Sequence, residues 1–110
     1  MTNPTRRAVL AGLAAAPLLP MTASAGGHLK YPVDMAAMAF APQILNMTKG
    51  DYVVFSNSDR AQHTATARDG SFDTGRLKQG QSAEIRMTQA GSFDYVCEFH
   101  PSMVGRIVVS

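Results

Sequence analysis

The feature that most constrains the fold of this chain is strict two-residue alternation, interrupted by turn residues. In Ser82 to Met87 the residues Ala83, Ile85 and Met87 share one face, and Ser82, Glu84 and Arg86 share the other. That is the pattern of a strand with one dry and one wet side. Tyr52-Val53-Val54-Phe55 is the most β-prone run, and it stops at Ser56-Asn57-Ser58-Asp59, whose side chains compete for backbone hydrogen bonds. Further extended runs are Leu29 to Met35, Met38 to Phe40, Gln43 to Met47, Phe93 to Cys97 and Val104 to Val109. Asp69-Gly70, Thr74-Gly75, Gln79-Gly80 and Ala90-Gly91 punctuate them, and no helical stripe occurs. About seven or eight short strands in so short a chain predict an all-β Greek-key sandwich or barrel in a single domain.

The first 25 of the 110 residues read as an address. Arg6-Arg7 precede a short apolar stretch from Ala8 to Ala16, prolines follow at 17 and 20, and Ala23-Ser24-Ala25 is an A-x-A cleavage pattern. The expectation is a signal peptide at 1–25, of twin-arginine type, cut after Ala25, with the domain at 26–110 and a periplasmic location. No apolar run is long enough to span a membrane once its prolines are counted. The leader takes Arg6 and Arg7 with it and leaves eight basic against eight acidic residues, scattered singly. Nucleic-acid binding has no basic stripe to rest on.

Exported domains this small commonly carry a staple, either disulfides or a metal. One cysteine, Cys97, excludes a disulfide within the chain, and its position in Phe93 to Cys97 turns it toward the core with Phe93 and Tyr95. Cys97-Glu98-Phe99-His100-Pro101-Ser102-Met103 spaces a thiolate, an imidazole and a thioether three residues apart. In an extended strand such residues lie about 10 Å apart on opposite faces, so they converge only if the chain curls tightly after Cys97. Pro101 suits such a curl. His63, in the connection beyond the Asn57 to Asp59 strand stop, is the candidate fourth ligand. Two imidazoles, one thiolate and a weak thioether make the His2Cys set with axial Met that favours blue copper, and zinc would call for more Cys or His than this chain offers.

Each residue alone has a plainer reading: Cys97 as a small core hydrophobe, His63 as a surface-loop histidine, His100 as a turn cap, and Met103 as core, as expected of Met35, Met38, Met47 and Met87. The joint spacing favours the metal site. A chain starting at Gly26 would also present Gly26-Gly27-His28, a terminus able to chelate Cu(II) or Ni(II) through four nitrogens, or else a frayed remnant of processing.

The runs from Val33 to Phe40, from Lys49 to Phe55 and from Ala90 to Cys97, together with Asn57 and the Cys-x2-His-x2-Met loop, resemble the cupredoxins of the plastocyanin type, the amicyanins above all. The resemblance covers nearly the whole chain after the leader. It implies one type 1 copper ion held by His63, Cys97, His100 and Met103, with Asn57 tying the His63 loop to the Cys97 loop. It further implies a monomeric periplasmic electron carrier between redox proteins, such as a dehydrogenase and a c-type cytochrome. The stretch from His63 to Ser82 looks shorter than in the amicyanins, and Asp69 to Gly75 resembles broader plastocyanin-like domains. A copper carrier or buffer using the same four residues is the alternative. An enzyme is not expected, because beyond His63 and His100 only His28 remains for a further centre.

Overall fold

The computed structural model describes residues 28–110; the leader and Gly26-Gly27 lie outside the described residues. Among the described residues eight strands form two four-stranded mixed sheets. They are β1 (Lys30–Ala36), β2 (Ala39–Ala41), β3 (Ile44–Met47), β4 (Tyr52–Asn57), β5 (Thr66–Ala67), β6 (Ser82–Arg86), β7 (Gly91–Val96) and β8 (Val104–Val109). One sheet runs β2-β1-β4-β6 and the other β3-β8-β7-β5. Strands β1 with β4 and β3 with β8 pair in parallel, and the remaining neighbours are antiparallel. Among the described residues no helix is long and apolar enough to cross a membrane.

The two-residue period is what buries the core. Val53, Phe55 and Asn57 of β4, Val33 and Met35 of β1, Phe93 and Tyr95 of β7, and Ile107 and Val109 of β8 all turn inward. Phe55 and Tyr95 join the sheets edge to face, with centroids 5.4 Å apart, and Phe40 and Phe72 pack on the same tyrosine at 4.7 and 5.8 Å. Such pairs contribute about 0.5–1.5 kcal/mol each beyond the burial of their area. In β6 the expected inward face is correct in register, although Ala83 and Ile85 are only half-buried and Met87 alone is fully covered.

One core expectation is overturned. Met38 is 45% exposed rather than buried, and β2 starts one residue later, at Ala39. Ala37 and Met38 are the two turn residues of the β1–β2 hairpin, with φ of 53° and 58°. Two left-handed residues match the right-handed twist of the flanking strands, as in a type I′ turn. The usual Asn-Gly signal is absent, so the sequence pattern places Met38 in the second strand rather than in the turn. Met35, Met47 and Met87 are core, as expected.

Candidate metal centre

The topology brings distant residues to one end of the sandwich. Strand β4 belongs to one sheet and β5 to the other, so the chain between them crosses over the end, and His63 sits on that crossing. Strand β5 pairs with β7 through Thr66↔Val96 and Ala67↔Tyr95. Cys97 is the next residue of β7's chain, which sets it beside the crossing. His63 is further fixed by reciprocal backbone hydrogen bonds with Leu77, at 3.1 and 2.8 Å.

The loop after Cys97 curls as its spacing demands. The Cys97 amide donates to the Met103 carbonyl at 3.1 Å, and the Met103 amide donates to the His100 carbonyl at 2.9 Å. The ladder between β7 and β8 therefore closes over a short loop, which folds His100 back over the sulfur. Cys97 Sγ lies 3.7 Å from His63 Nδ1 and 3.8 Å from His100 Nδ1, and the three donor atoms lie within 4.8 Å of one another. Metal–nitrogen and metal–sulfur bonds of about 2.0 and 2.3 Å at an angle of about 120° would separate sulfur from nitrogen by about 3.7 Å. The three residues would thus fit a single metal ion between them. Cys97 and His63 are fully buried, Met103 is 1% exposed, and His100 keeps one edge toward solvent. Met103 lies across from Cys97 where the loop closes and is buried there, so its thioether would be the fourth residue available to hold an ion.

Protonation follows from the hydrogen bonds. His63 Nε2 lies 2.9 Å from Asp59 Oδ2. A carboxylate there accepts the Nε2 proton and leaves the Nδ1 lone pair facing Cys97, the tautomer a metal ligand requires. The same carboxylate accepts the amides of Ala37 and Met38, each at 2.9 Å. The Met38 amide first, then the His63 ring, hold the Asp59 carboxyl below the usual carboxylate range. Cys97 Sγ accepts the Thr64 amide at 3.4 Å, which ties the sulfur to the His63 crossing.

The expected role of Asn57 needs correction. Its amide donates to the Ala61 and Leu77 carbonyls at 2.9 and 2.8 Å, and its oxygen accepts the Asp59 amide at 2.9 Å. Those bonds brace the His63 crossing from within and against the Leu77 segment. The tie to the Cys97 loop is made by Thr64, whose amide reaches the sulfur and whose Oγ1 accepts the Glu98 amide at 3.0 Å. Asp59 and Thr64 are the two residues the sequence reading missed. Asp59 stood there only as a strand stop, although its place four residues before His63 was the available clue.

His28 lies apart from this cluster, with Nδ1 3.9 Å from Asp51 Oδ1 and Nε2 3.4 Å from the Arg86 guanidinium. The rest of the Gly26-Gly27-His28 terminus lies outside the described residues.

A family model described as a cupredoxin-like domain matches residues 9–109. Amicyanin of Paracoccus denitrificans is 32% identical over 82 residues, covering 70% of this chain and 63% of that protein. Chloroplastic plastocyanin of Chlamydomonas reinhardtii is 29% identical, covering 94% of this chain and 81% of that one. Among solved structures, the Cu(I) form of a methionine-to-alanine mutant of amicyanin superposes with a TM-score of 0.69 at 29% identity, over 73% of this chain and 81% of that one.

Proposed function

The chain belongs to the cupredoxin-like domain family, and from that premise we propose that it is a small extracytoplasmic electron carrier holding one type 1 copper ion on His63, Cys97, His100 and Met103. The observation that carries this reading is the convergence of Cys97 Sγ with two imidazole nitrogens at 3.7 and 3.8 Å on a buried sandwich end. Copper bound there supplies one-electron chemistry between Cu(I) and Cu(II). The chain's own residues supply the rest. Asp59 keeps the His63 proton on Nε2, the Thr64 amide ties the sulfur to the His63 crossing, and the β4–β5 crossing and the β7–β8 loop fix the donors from two rigid sheets. Little movement of the donors between oxidation states means a small reorganisation cost for each electron.

His100 is the exit edge, since its ring alone among the four side chains reaches the surface. The partners are redox proteins, a donor and an acceptor such as a dehydrogenase and a c-type cytochrome. The protein turns over no substrate of its own. Burial of His63, Cys97 and Met103 favours an electron carrier over a copper-delivery protein, because releasing the ion would require opening a closed site. The leader at 1–25 directs the domain to the periplasm, where mass spectrometry of the processed chain should find Gly26 at the N-terminus.

The test is a pair of variants. Cys97→Ser should fold and lose the intense visible colour of the copper-loaded protein. Met103→Leu should keep the colour and raise the reduction potential, because a copper ion held there would lose a thioether ligand, which would disfavour Cu(II). An unchanged potential in Met103→Leu removes that residue from the site. Copper handed readily to a chelator during redox cycling would instead favour the delivery reading.

A further inference from the structure

Beside the exposed edge of His100, a groove of about 460 Å³ is lined by Arg60, Ala61, Gln62, Arg76, Phe99 and His100. No carboxylate lines it. The Arg76 guanidinium lies over the Phe99 ring at 5.4 Å, and the ring is 47% exposed. Lys30 pairs with Glu84 at 2.8 Å and Arg106 with Asp94 at 2.7 Å; of the other Lys and Arg among the described residues, which have no carboxylate within 4.0 Å, Arg60 and Arg76 line the groove beside His100. Asp59, next to Arg60 in sequence, is engaged by Ala37, Met38 and His63. Glu98 is exposed on the neighbouring loop but does not line the groove. A domain with balanced charge after its leader therefore concentrates two unpaired guanidinia at the rim of its electron-exit edge.

Resting on the proposed function, we propose that this groove docks an acidic face of a partner redox protein, the partner's Asp and Glu carboxylates pairing with Arg60 and Arg76 around an apolar centre of Phe99 and Ala61. Guanidinium groups suit this task, since their planar fork takes a carboxylate in two parallel hydrogen bonds and stays charged at any working pH. Stacked on Phe99, Arg76 is held in place and loses less freedom when it binds. Electron-transfer encounters bury little area, commonly below about 1,200 Å², so a small charged rim suffices to steer and orient them. A second copy of this chain fits poorly, because its matching groove would bring four like charges together.

The test compares the copper-loaded protein with its Arg60→Glu/Arg76→Glu variant by stopped flow. The reduced form gives one electron to hexacyanoferrate(III), to cationic tris(phenanthroline)cobalt(III), or to a ferric c-type cytochrome of negative net charge. In each case Cu(I) becomes Cu(II) and the acceptor metal falls by one unit. At about 10 mM ionic strength the variant should react at least about tenfold more slowly with hexacyanoferrate(III) and with the acidic cytochrome, and no more slowly with the cobalt complex. The difference should vanish near 1 M salt, where screening acts within about 3 Å. Equal slowing with acceptors of both signs, an effect on hexacyanoferrate(III) without one on the cytochrome, or salt-reinforced self-association through this face would overturn the proposal. Colour and copper content of the variant report the metal site separately. On the metal-free protein, the redox-inert anion hexacyanochromate(III) should broaden the NMR amide signals of Arg60, Gln62, Arg76 and Phe99 selectively. Broadening centred elsewhere overturns the proposal even if no copper binds.

Discussion

Replacing Asp59 by alanine should unsettle both the β1–β2 turn and the candidate ligand His63, since one carboxylate serves both. Its oxygens accept the Ala37 and Met38 amides and the His63 ring proton, all at 2.9 Å. The two turn amides lie at the surface, where water can substitute, so each bond is worth about 1 kcal/mol; the bond to the buried ring is worth about 1.5–3 kcal/mol. Against this, Ala37 and Met38 hold left-handed conformations, which cost side-chain-bearing residues about 1–2 kcal/mol each. A freed turn recovers part of that strain. The net loss for Asp59→Ala should be about 2–3 kcal/mol, or roughly 10–20 °C in Tm for a domain this size. Urea unfolding of the metal-free protein at pH 7 reads it as a lower midpoint at constant slope. Adding Met38→Gly, which relieves the turn, should return about 1 kcal/mol. A loss under about 0.5 kcal/mol for Asp59→Ala would refute the reasoning, because the carboxylate would then be neither clamping the turn nor holding the ring.

The Tyr95 hydroxyl is buried and finds no hydrogen-bond partner among the described residues, and burial pushes its pKa well up. Tyr95→Phe should therefore leave stability within about 1 kcal/mol or raise it, as judged by chemical unfolding. A methyl group at Gly105 would overlap the Tyr95 ring, so Gly105→Ala should cost about 2 kcal/mol or more in the same assay. Asp94 is held below the usual carboxylate range by its hydrogen bond from Arg106, then by that residue's charge. Whatever stability this exposed pair adds is complete above the ordinary carboxylate pKa and disappears as pH falls through the lowered value. NMR titration should show Asp94 returning toward the ordinary value of about 3.9 in Arg106→Gln.

How much of this was legible in the sequence depended on whether a residue acts through its period or through its partners. Phe93, Tyr95 and Cys97 could be placed inward because alternation alone fixes which face a strand residue occupies. The Cys97 to Met103 curl was legible because three donor types three residues apart have no purpose in an extended strand. Met38 was misread because a type I′ turn made of Ala and Met carries no turn-residue signal, and its conformation is held by Asp59, 21 residues away. The crossing that carries His63 was foreseen, but its bracing was not. Asn57 reaches Leu77 because that segment bridges to His63, and Thr64 reaches the sulfur because β5 pairs with β7, contacts that sequence spacing does not reveal.

The most direct measurement is a copper titration of the purified domain followed by visible absorption. An intense thiolate-to-Cu(II) charge-transfer band should grow to its end point at one copper per chain, be bleached by a one-electron reductant, and be absent from Cys97→Ser. A copper-loaded protein showing only weak absorption, with the Cys97 thiol still open to alkylation, would contradict the account at its centre.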